Sequence, residues 1–238
     1  MSARLLVVEH EPACPAAHLG TWLVEAGADL EVCRPWAGDD LPALEEYDGF
    51  LILGGSMGAN DDATHPWLAT VKERVREAAE TGVPTLGVCL GHQLIAAALG
   101  GTVEVSPRGQ QVGLYDVGWR PEAQHDDLVS GLPPTMRGIQ WNVDVVTALP
   151  DGAVELAATA EGELQVARFA PTVWGVQLHP EADEPIVRSW AAGDRDDHLE
   201  RGIDQDAVLA GIDAARTELD EVWRPLATAL VAVVGARK

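Results

Sequence analysis

Cys89 sits in Gly87-Val88-Cys89-Leu90-Gly91, between an apolar run that reads as a strand and a segment that reads as a helix. A thiol between two glycines at a strand-to-helix bend has the form of a nucleophile elbow, G-x-C-x-G. So tight a bend leaves no room for a β-carbon at either flank. It pushes the sulfur out at the carboxyl edge of a sheet, where open α/β folds bind ligands. A helix starting at Leu90 aims its unpaired N–H groups and positive dipole end at the thiol. Both favour thiolate and steady an oxyanion beside it.

A thiol nucleophile needs a base that later acts as an acid, and Gly175-Val176-Gln177-Leu178-His179-Pro180-Glu181 offers one. This segment reads as a buried strand ending in His-Pro-Glu. His179 has the right chemistry near neutral pH. Glu181, two residues on, can reach back to fix its tautomer, and Pro180 restricts His179 to extended backbone. A third element, Gly54-Gly55-Ser56-Met57-Gly58, follows another strand and can turn backbone N–H groups into the same cleft. Taken singly, His179 is an ordinary strand-end residue and the glycine loop an ordinary turn; only the combination points to acyl-transfer chemistry.

Together, residues 87–93 (GVCLGHQ), residues 175–181 (GVQLHPE) and the Gly54-Gly55 loop resemble the class I (triad) glutamine amidotransferase domain, in the family's order and over residues 4–190. The texture is similar to stand-alone proteins like the glutaminase domain of GMP synthase. The resemblance implies that Cys89 attacks the glutamine side-chain amide, with His179 as base and acid and Glu181 as its orienting carboxylate. It implies an oxyanion hole from the Gly55 and Leu90 backbone N–H groups. It further implies substrate contacts at Gln93, at the Gln111-Val112-Gly113-Leu114 segment through Gln111 and Gly113, and at Asn142. Neither cofactor nor metal is implied.

The chain departs from the family at Asn142, where relatives usually carry His, and at Ser56, where Pro is common. Neither touches the three catalytic positions. There is no ATP-pyrophosphatase domain and no G-x-x-x-x-G-K-[ST] phosphate loop, so ammonia would pass to a separate synthase chain. The missing synthase also favours a second reading, a γ-glutamyl hydrolase acting on peptides, polyamines or other γ-amides. A third, of another class, is a non-catalytic regulatory or binding module on the same fold.

These residues need a scaffold. Apolar runs at 4–8, 30–33, 49–53 and 85–88 read as strands buried on both faces, alternating with helical patterns at 18–25, 66–80 and 91–99. Alternation at this pace predicts α/β architecture, a three-layer α/β/α domain around a mostly parallel sheet; the resemblance makes it flavodoxin-like. Six short runs at 103–105, 112–117, 143–148, 154–157, 164–169 and 173–177 are expected to extend that sheet in mixed or antiparallel fashion. Past Pro180 the chain turns helical and charged, with an exposed turn at 194–200 and one last helix at 207–234. Residues 1–190 are expected to form the amidotransferase domain, and 191–238 a helical extension packed on it.

Composition sets the outer limits. The 238 residues are 47% apolar, enough for a core, and carry 16 Lys and Arg against 38 Asp and Glu, a net charge of −22. Such a surface repels phosphate backbones and argues against nucleic-acid binding. No apolar stretch reaches the roughly 18 residues that span a bilayer. The N-terminus lacks a secretory apolar region, so a cytoplasmic location is expected. Cys14 and Cys33 read as ordinary thiols, and the histidines other than His179 lack partners at metal-ligand spacing. His92 projects away from the thiol. Asp126, Asp127, Asp196 and Asp197 read as solvated, and Trp141 as a wall of the pocket.

Overall fold

The computed structural model describes residues 2–237. In chain order, β1 (Ala3–Val8), α1 (Ala17–Glu25), β2 (Ala28–Cys33), β3 (Gly49–Ile52), α2 (Trp67–Thr81), β4 (Thr85–Val88) and α3 (Leu90–Ala98) come first. Then come β5 (Thr102–Val105), β6 (Gln111–Asp116), β7 (Arg137–Asn142), β8 (Asp144–Ala148), β9 (Val154–Ala158), β10 (Leu164–Ala170) and β11 (Val173–Val176). Four helices close the chain: α4 (Glu184–Gly193), α5 (Arg195–Glu200), α6 (Gln205–Ala214) and α7 (Arg216–Ala236).

The main sheet runs β2-β1-β3-β4-β11-β10-β9. It is parallel from β2 to β11, and β10 and β9 add to it antiparallel. Side chains alternate between its two faces, because successive residues of a strand point to opposite sides. Leu5, Val7, Leu51, Leu86 and Val176 join one apolar cluster with α1 and α7, while Leu6, Val8, Phe50 and Ile52 join another with α2 and α3. Both faces are covered, which is why these strands read as continuous apolar runs. In α2, Leu68, Val71, Val75 and Ala78 form the buried stripe, and Gly82 ends the helix in the left-handed conformation at φ 72°. Among the described residues no helix is long and apolar enough to cross a membrane.

Several local expectations change. The runs at 103–105, 112–117 and 143–148 do not extend the sheet: β5 pairs with β8, and β6 with β7, as two separate ribbons. The sequence pattern does not foretell β7, since Arg137-Gly-Ile-Gln-Trp-Asn142 carries no apolar alternation, yet residues 138–142 are all buried. Their polar side chains are covered by tertiary neighbours: a β-carbon on Gly138 would lie 2.5 Å from Leu178 and 3.0 Å from Trp223 of α7. Residues 195–200 form α5 instead of a turn, and the last helix breaks at Ala215 into α6 and α7. No Gly or Pro marks that break; Ala215 is buried, and the chain redirects there so that both helices face the core. Asp126 is not solvated. It is buried and accepts hydrogen bonds from the backbone of Leu128 (3.0 Å) and Val129 (3.3 Å), from Arg168 Nε on β10 (2.9 Å) and from Trp174 Nε1 on β11 (3.0 Å).

Two substitutions probe this scaffold. Asp126→Ala strands four donors, and urea titration should show a loss of about 3 kcal/mol. In Gly91→Ala the new β-carbon would stand 2.1 Å from the Ile52 carbonyl oxygen. Overpacking of backbone against backbone should cost at least about 2 kcal/mol; an unchanged midpoint would show that α3 slides freely over β3.

Candidate active site

β4 and β11 are parallel neighbours, with Gly87 opposite Gly175 and Val88 opposite Val176. Their carboxyl ends therefore lie side by side, and Cys89 N donates to Val176 O at 2.8 Å. Cys89 has φ 50° and ψ −105°, a left-handed-side conformation for a residue with a β-carbon. Such strain costs about 1–3 kcal/mol and persists only where the surroundings impose it. Here they do: a β-carbon on Gly87 would lie 2.5 Å from the Gly91 backbone, and one on Gly91 would collide with β3. The first turn of α3 thus presses against the sheet directly beneath the sulfur, with its leading N–H groups unpaired by the helix.

His179 follows β11 by three residues. Its backbone N–H donates to Ile139 O of β7 at 2.9 Å, so the ribbon that the sequence pattern leaves unmarked anchors the imidazole. Its Nδ1 pairs with Glu181 Oε1 at 2.6 Å, and both side chains are buried. Burial by itself lowers the imidazole pKa, but the Glu181 carboxylate and then Cys89 outweigh it and raise His179 to about 10. His179 Nε2 has no hydrogen-bond partner and is the ring atom left to exchange a proton. Gly54 supplies the space in which these groups meet. A β-carbon there would lie 3.4 Å from His179 Cε1, 3.7 Å from Cys89 Cβ and 3.8 Å from Cys14 Sγ. Gly55 packs beside the start of α3, with Leu90 Cδ2 3.0 Å from its would-be β-carbon. A thiol, an imidazole held by a carboxylate, and backbone donors at a helix start can carry out covalent acyl transfer.

These groups open into a cavity of about 650 Å³. Cys89, His179, Gly55, Gln93 and Asn142 line it, and so does Trp141. Gln93 Nε2 donates to Asp144 O (2.9 Å) and to Gln177 Oε1 (3.2 Å). Gln111 and Gly113 are not brought to the cavity. The Gln111 side chain bonds to Glu163, and Gly113, at φ 113°, faces Val208 of α6. Their neighbour Gln110 lines the wall instead. His92 is fully buried behind β11, edge-on to Phe169 at 5.1 Å, and burial holds its pKa down to about 4.

Several participants escape a reading of the sequence alone. Gln177 Nε2 points at Cys89 Sγ at 3.5 Å; it stands inside the His-Pro-Glu motif, without a role assigned to it there. Cys14 lines the cavity, and burial first, then the nearby carboxylates and Cys89, push its thiol well up. Trp190 of α4 lies 4.6 Å from the His179 ring and donates to Ala13 O, covering the imidazole. Asp194, expected in an exposed turn, lines the cavity and accepts from Trp141 Nε1 and Gln110 Nε2, both at 2.8 Å. His198 is buried, pairing with Gln110 Oε1 at 3.0 Å and with Gln205 at 2.9 Å. Nothing local in the sequence marks these residues, because their partners lie on other elements.

Comparison with known proteins agrees with this geometry. Residues 19–185 match the family model "Glutamine amidotransferase class-I". "Gamma-glutamyl peptidase 4" of Arabidopsis thaliana is 31% identical over 146 residues, covering 60% of this chain and only 57% of the peptidase. The glutamine-hydrolysing subunit of GMP synthase from Halobacterium salinarum is 38% identical over 144 residues, 59% of this chain and 69% of that protein. A solved glutamine amidotransferase from Thermotoga maritima superposes with a TM-score of 0.85 at 24% identity, covering 97% of this chain and 99% of its own, which speaks to the fold. One from Methylobacillus flagellatus gives 0.85 at 25%, covering 98% and 96%. With its family model spanning the elbow, the glycine loop and the His-Pro-Glu strand end, this chain belongs to the class I glutamine amidotransferase family.

Proposed function

We propose that the protein hydrolyses γ-glutamyl amides, glutamine being the simplest, through a thioester on Cys89. The observation that carries this reading is the buried His179–Glu181 pair aimed at a strained, cavity-facing Cys89. The Cys89 thiolate attacks the γ-carbonyl carbon, a C–S bond forms, and the oxyanion is held by the Leu90 and Gly55 N–H groups. The C–N bond then breaks as the His179 imidazolium gives its Nε2 proton to the departing nitrogen. Water attacks the thioester, His179 takes its proton, the C–S bond breaks, and glutamate and the thiolate are released. Glu181 holds the ring through Nδ1 and balances its charge throughout. Residues 191–238 belong to this unit, because Asp194 and α5 hold the Trp141 and Gln110 wall and α6 holds α5 through Gln205.

With glutamine, the product ammonia goes to a separate synthase chain, as the likeness to the glutamine-hydrolysing subunit of GMP synthase supports. The second reading, a γ-glutamyl hydrolase for larger amides, is favoured by the likeness to γ-glutamyl peptidases and by the size of the cavity.

Cys89→Ala should leave thermal unfolding in place and lower release of glutamate from γ-glutamyl substrates at least about a thousandfold. A glutamine-like electrophile should add one equivalent to the parent and none to the variant, read by intact mass. Hydrolysis by Cys89→Ala at the parent rate would refute the thioester route.

The pH dependence follows from His179. Its imidazolium, the proton donor, persists from the ordinary 6.5 up to about 10. The alkaline limb of kcat/KM should therefore lie well above pH 7. The pair's contribution to stability has the same sign: present below about 6.5, lost as pH rises through about 10. In Glu181→Gln the raising charge is gone and burial prevails, so the limb should move down by more than one pH unit. A limb that stays put would remove Glu181 from this role.

A further inference from the structure

The catalytic cavity has a charge imbalance that hydrolysis by itself does not explain. Four carboxylates line it, Glu11, Asp61, Asp144 and Asp194, and no Lys or Arg does. Two of the four are engaged. Glu11 accepts from Ser56 N (2.9 Å) and Ser56 Oγ (2.8 Å), and Asp194 accepts from Trp141 and Gln110. Asp61 and Asp144 are different. Both carboxylates approach Gly58, whose would-be β-carbon lies 3.2 Å from an oxygen of each. Asp61 receives only the Gly58 N–H at 2.7 Å, and neither forms an ion pair among the described residues. Burial and the charge of Asp61 raise the Asp144 pKa above its ordinary value, a sign that the two repel.

A second, independent observation points the same way. Asn142 is 5% exposed, lines the same cavity, and spends its Nδ2 on Asp144 O at 3.1 Å, while its Oδ1 has no partner. An unpartnered buried acceptor costs stability unless a donor comes to it. Acceptors in excess, with no cation among them, suit a ligand that is positive and donates several hydrogen bonds, which describes an ammonium group. Among the described residues no three His, Cys, Asp or Glu side chains converge to hold a metal ion.

Size decides which ammonium. Glutamine has ten heavy atoms and, even at water's roughly 30 Å³ per heavy atom, would fill about 300 Å³. The cavity holds about 650 Å³, leaving room for a larger leaving group. The α-ammonium common to all γ-glutamyl compounds is one cation, and it arrives with an α-carboxylate that cancels it. Charge complementarity therefore ranks the leaving groups. An amino-acid leaving group makes the substrate net negative, ammonia leaves it neutral, and a diamine makes it net positive.

Resting on the thioester reading above, we propose that the preferred substrates are mono-γ-glutamyl amides of aliphatic diamines, whose free ammonium is received by Asp61, Asp144 and Asn142 Oδ1. The reaction is the one already written, with the C–N bond broken to the diamine's amide nitrogen, which takes the His179 proton. Water completes the hydrolysis, and the products are glutamate and the diamine. Asp61, Asp144 and Asn142 set specificity here without touching the reacting atoms.

The test compares four substrates with the purified full chain: γ-glutamyl-1,4-diaminobutane, the γ-glutamyl amide of pentylamine, γ-glutamylglycine and glutamine. Pentylamine has the diamine's length and keeps the α-ammonium of the glutamyl group, but carries a methyl where the second ammonium would be. The diamine amide should exceed the pentylamide at least tenfold in kcat/KM, with the difference in KM, and γ-glutamylglycine should be slowest. Raising NaCl should shrink the ratio, as screening of a charged contact requires. In Asp144→Asn and Asp61→Asn the ratio of diamine amide to pentylamide should fall severalfold, pentylamide turnover in each variant reporting that it is folded. A parent enzyme that hydrolyses pentylamide or γ-glutamylglycine as well as the diamine amide would overturn the proposal while leaving the thioester reading intact. No turnover of any of the four, with no labelling of Cys89, would overturn both.

Discussion

The close approach of α3 to the sheet is the constraint on which the site depends. Gly91 lies against the Ile52 carbonyl and Gly87 against Gly91, so three backbone segments meet with no β-carbon between them. The chain leaves β4 and enters a helix within one residue, and that residue absorbs the turn at positive φ. Helix packing ordinarily keeps backbones about 8–10 Å apart through side chains. Removing the side chains brings the helix start, with its N–H groups and positive dipole end, under the place where an oxyanion would form. The strain at Cys89 is held by the burial of α3's apolar face, so stability elsewhere keeps the sulfur presented.

Around that point the fold sets the charge of the imidazole. A buried histidine on its own is neutral, as His92 and His10 are, both pushed down by burial. His179 is buried as deeply and yet goes the other way, because Glu181 lies 2.6 Å from Nδ1. Three histidines in similarly dry surroundings thus differ by whether a carboxylate accompanies them. Trp190 covers the pair and keeps water from screening it, which strengthens the interaction. The helices after Glu181 are therefore part of the electrostatics of the site. Through Asp194 and His198 they also fix Trp141 and Gln110 at the cavity wall.

The net charge of −22 acquires a local meaning as well. Most surface carboxylates are solvated or paired with arginine, as Glu31 with Arg4 and Glu218 with Arg137. In the cavity the acids lack such partners, so the negative potential is concentrated where a substrate enters. Low-dielectric walls focus that field and favour cationic over anionic ligands. Selectivity among amides sharing one γ-glutamyl group can arise this way with no change in the catalytic residues.

How much of this was legible in one dimension follows from the range of each interaction. The elbow, the His-Pro-Glu strand end and the parallel α/β order are local: each depends on spacings of a few residues or on runs of apolar residues buried on both faces, so the chain alone determined them. The ribbons, the break at Ala215, the burial of Asp126 and the roles of Gln177, Asp194 and His198 depend on partners tens of residues away. Asp126 meets Arg168 and Trp174, and His198 meets Gln110. A polar side chain carries no mark of whether its partner will be water or a distant donor. Only the folded chain, which decides what each polar group faces once water is excluded, sorts the solvated acids from those that build the site.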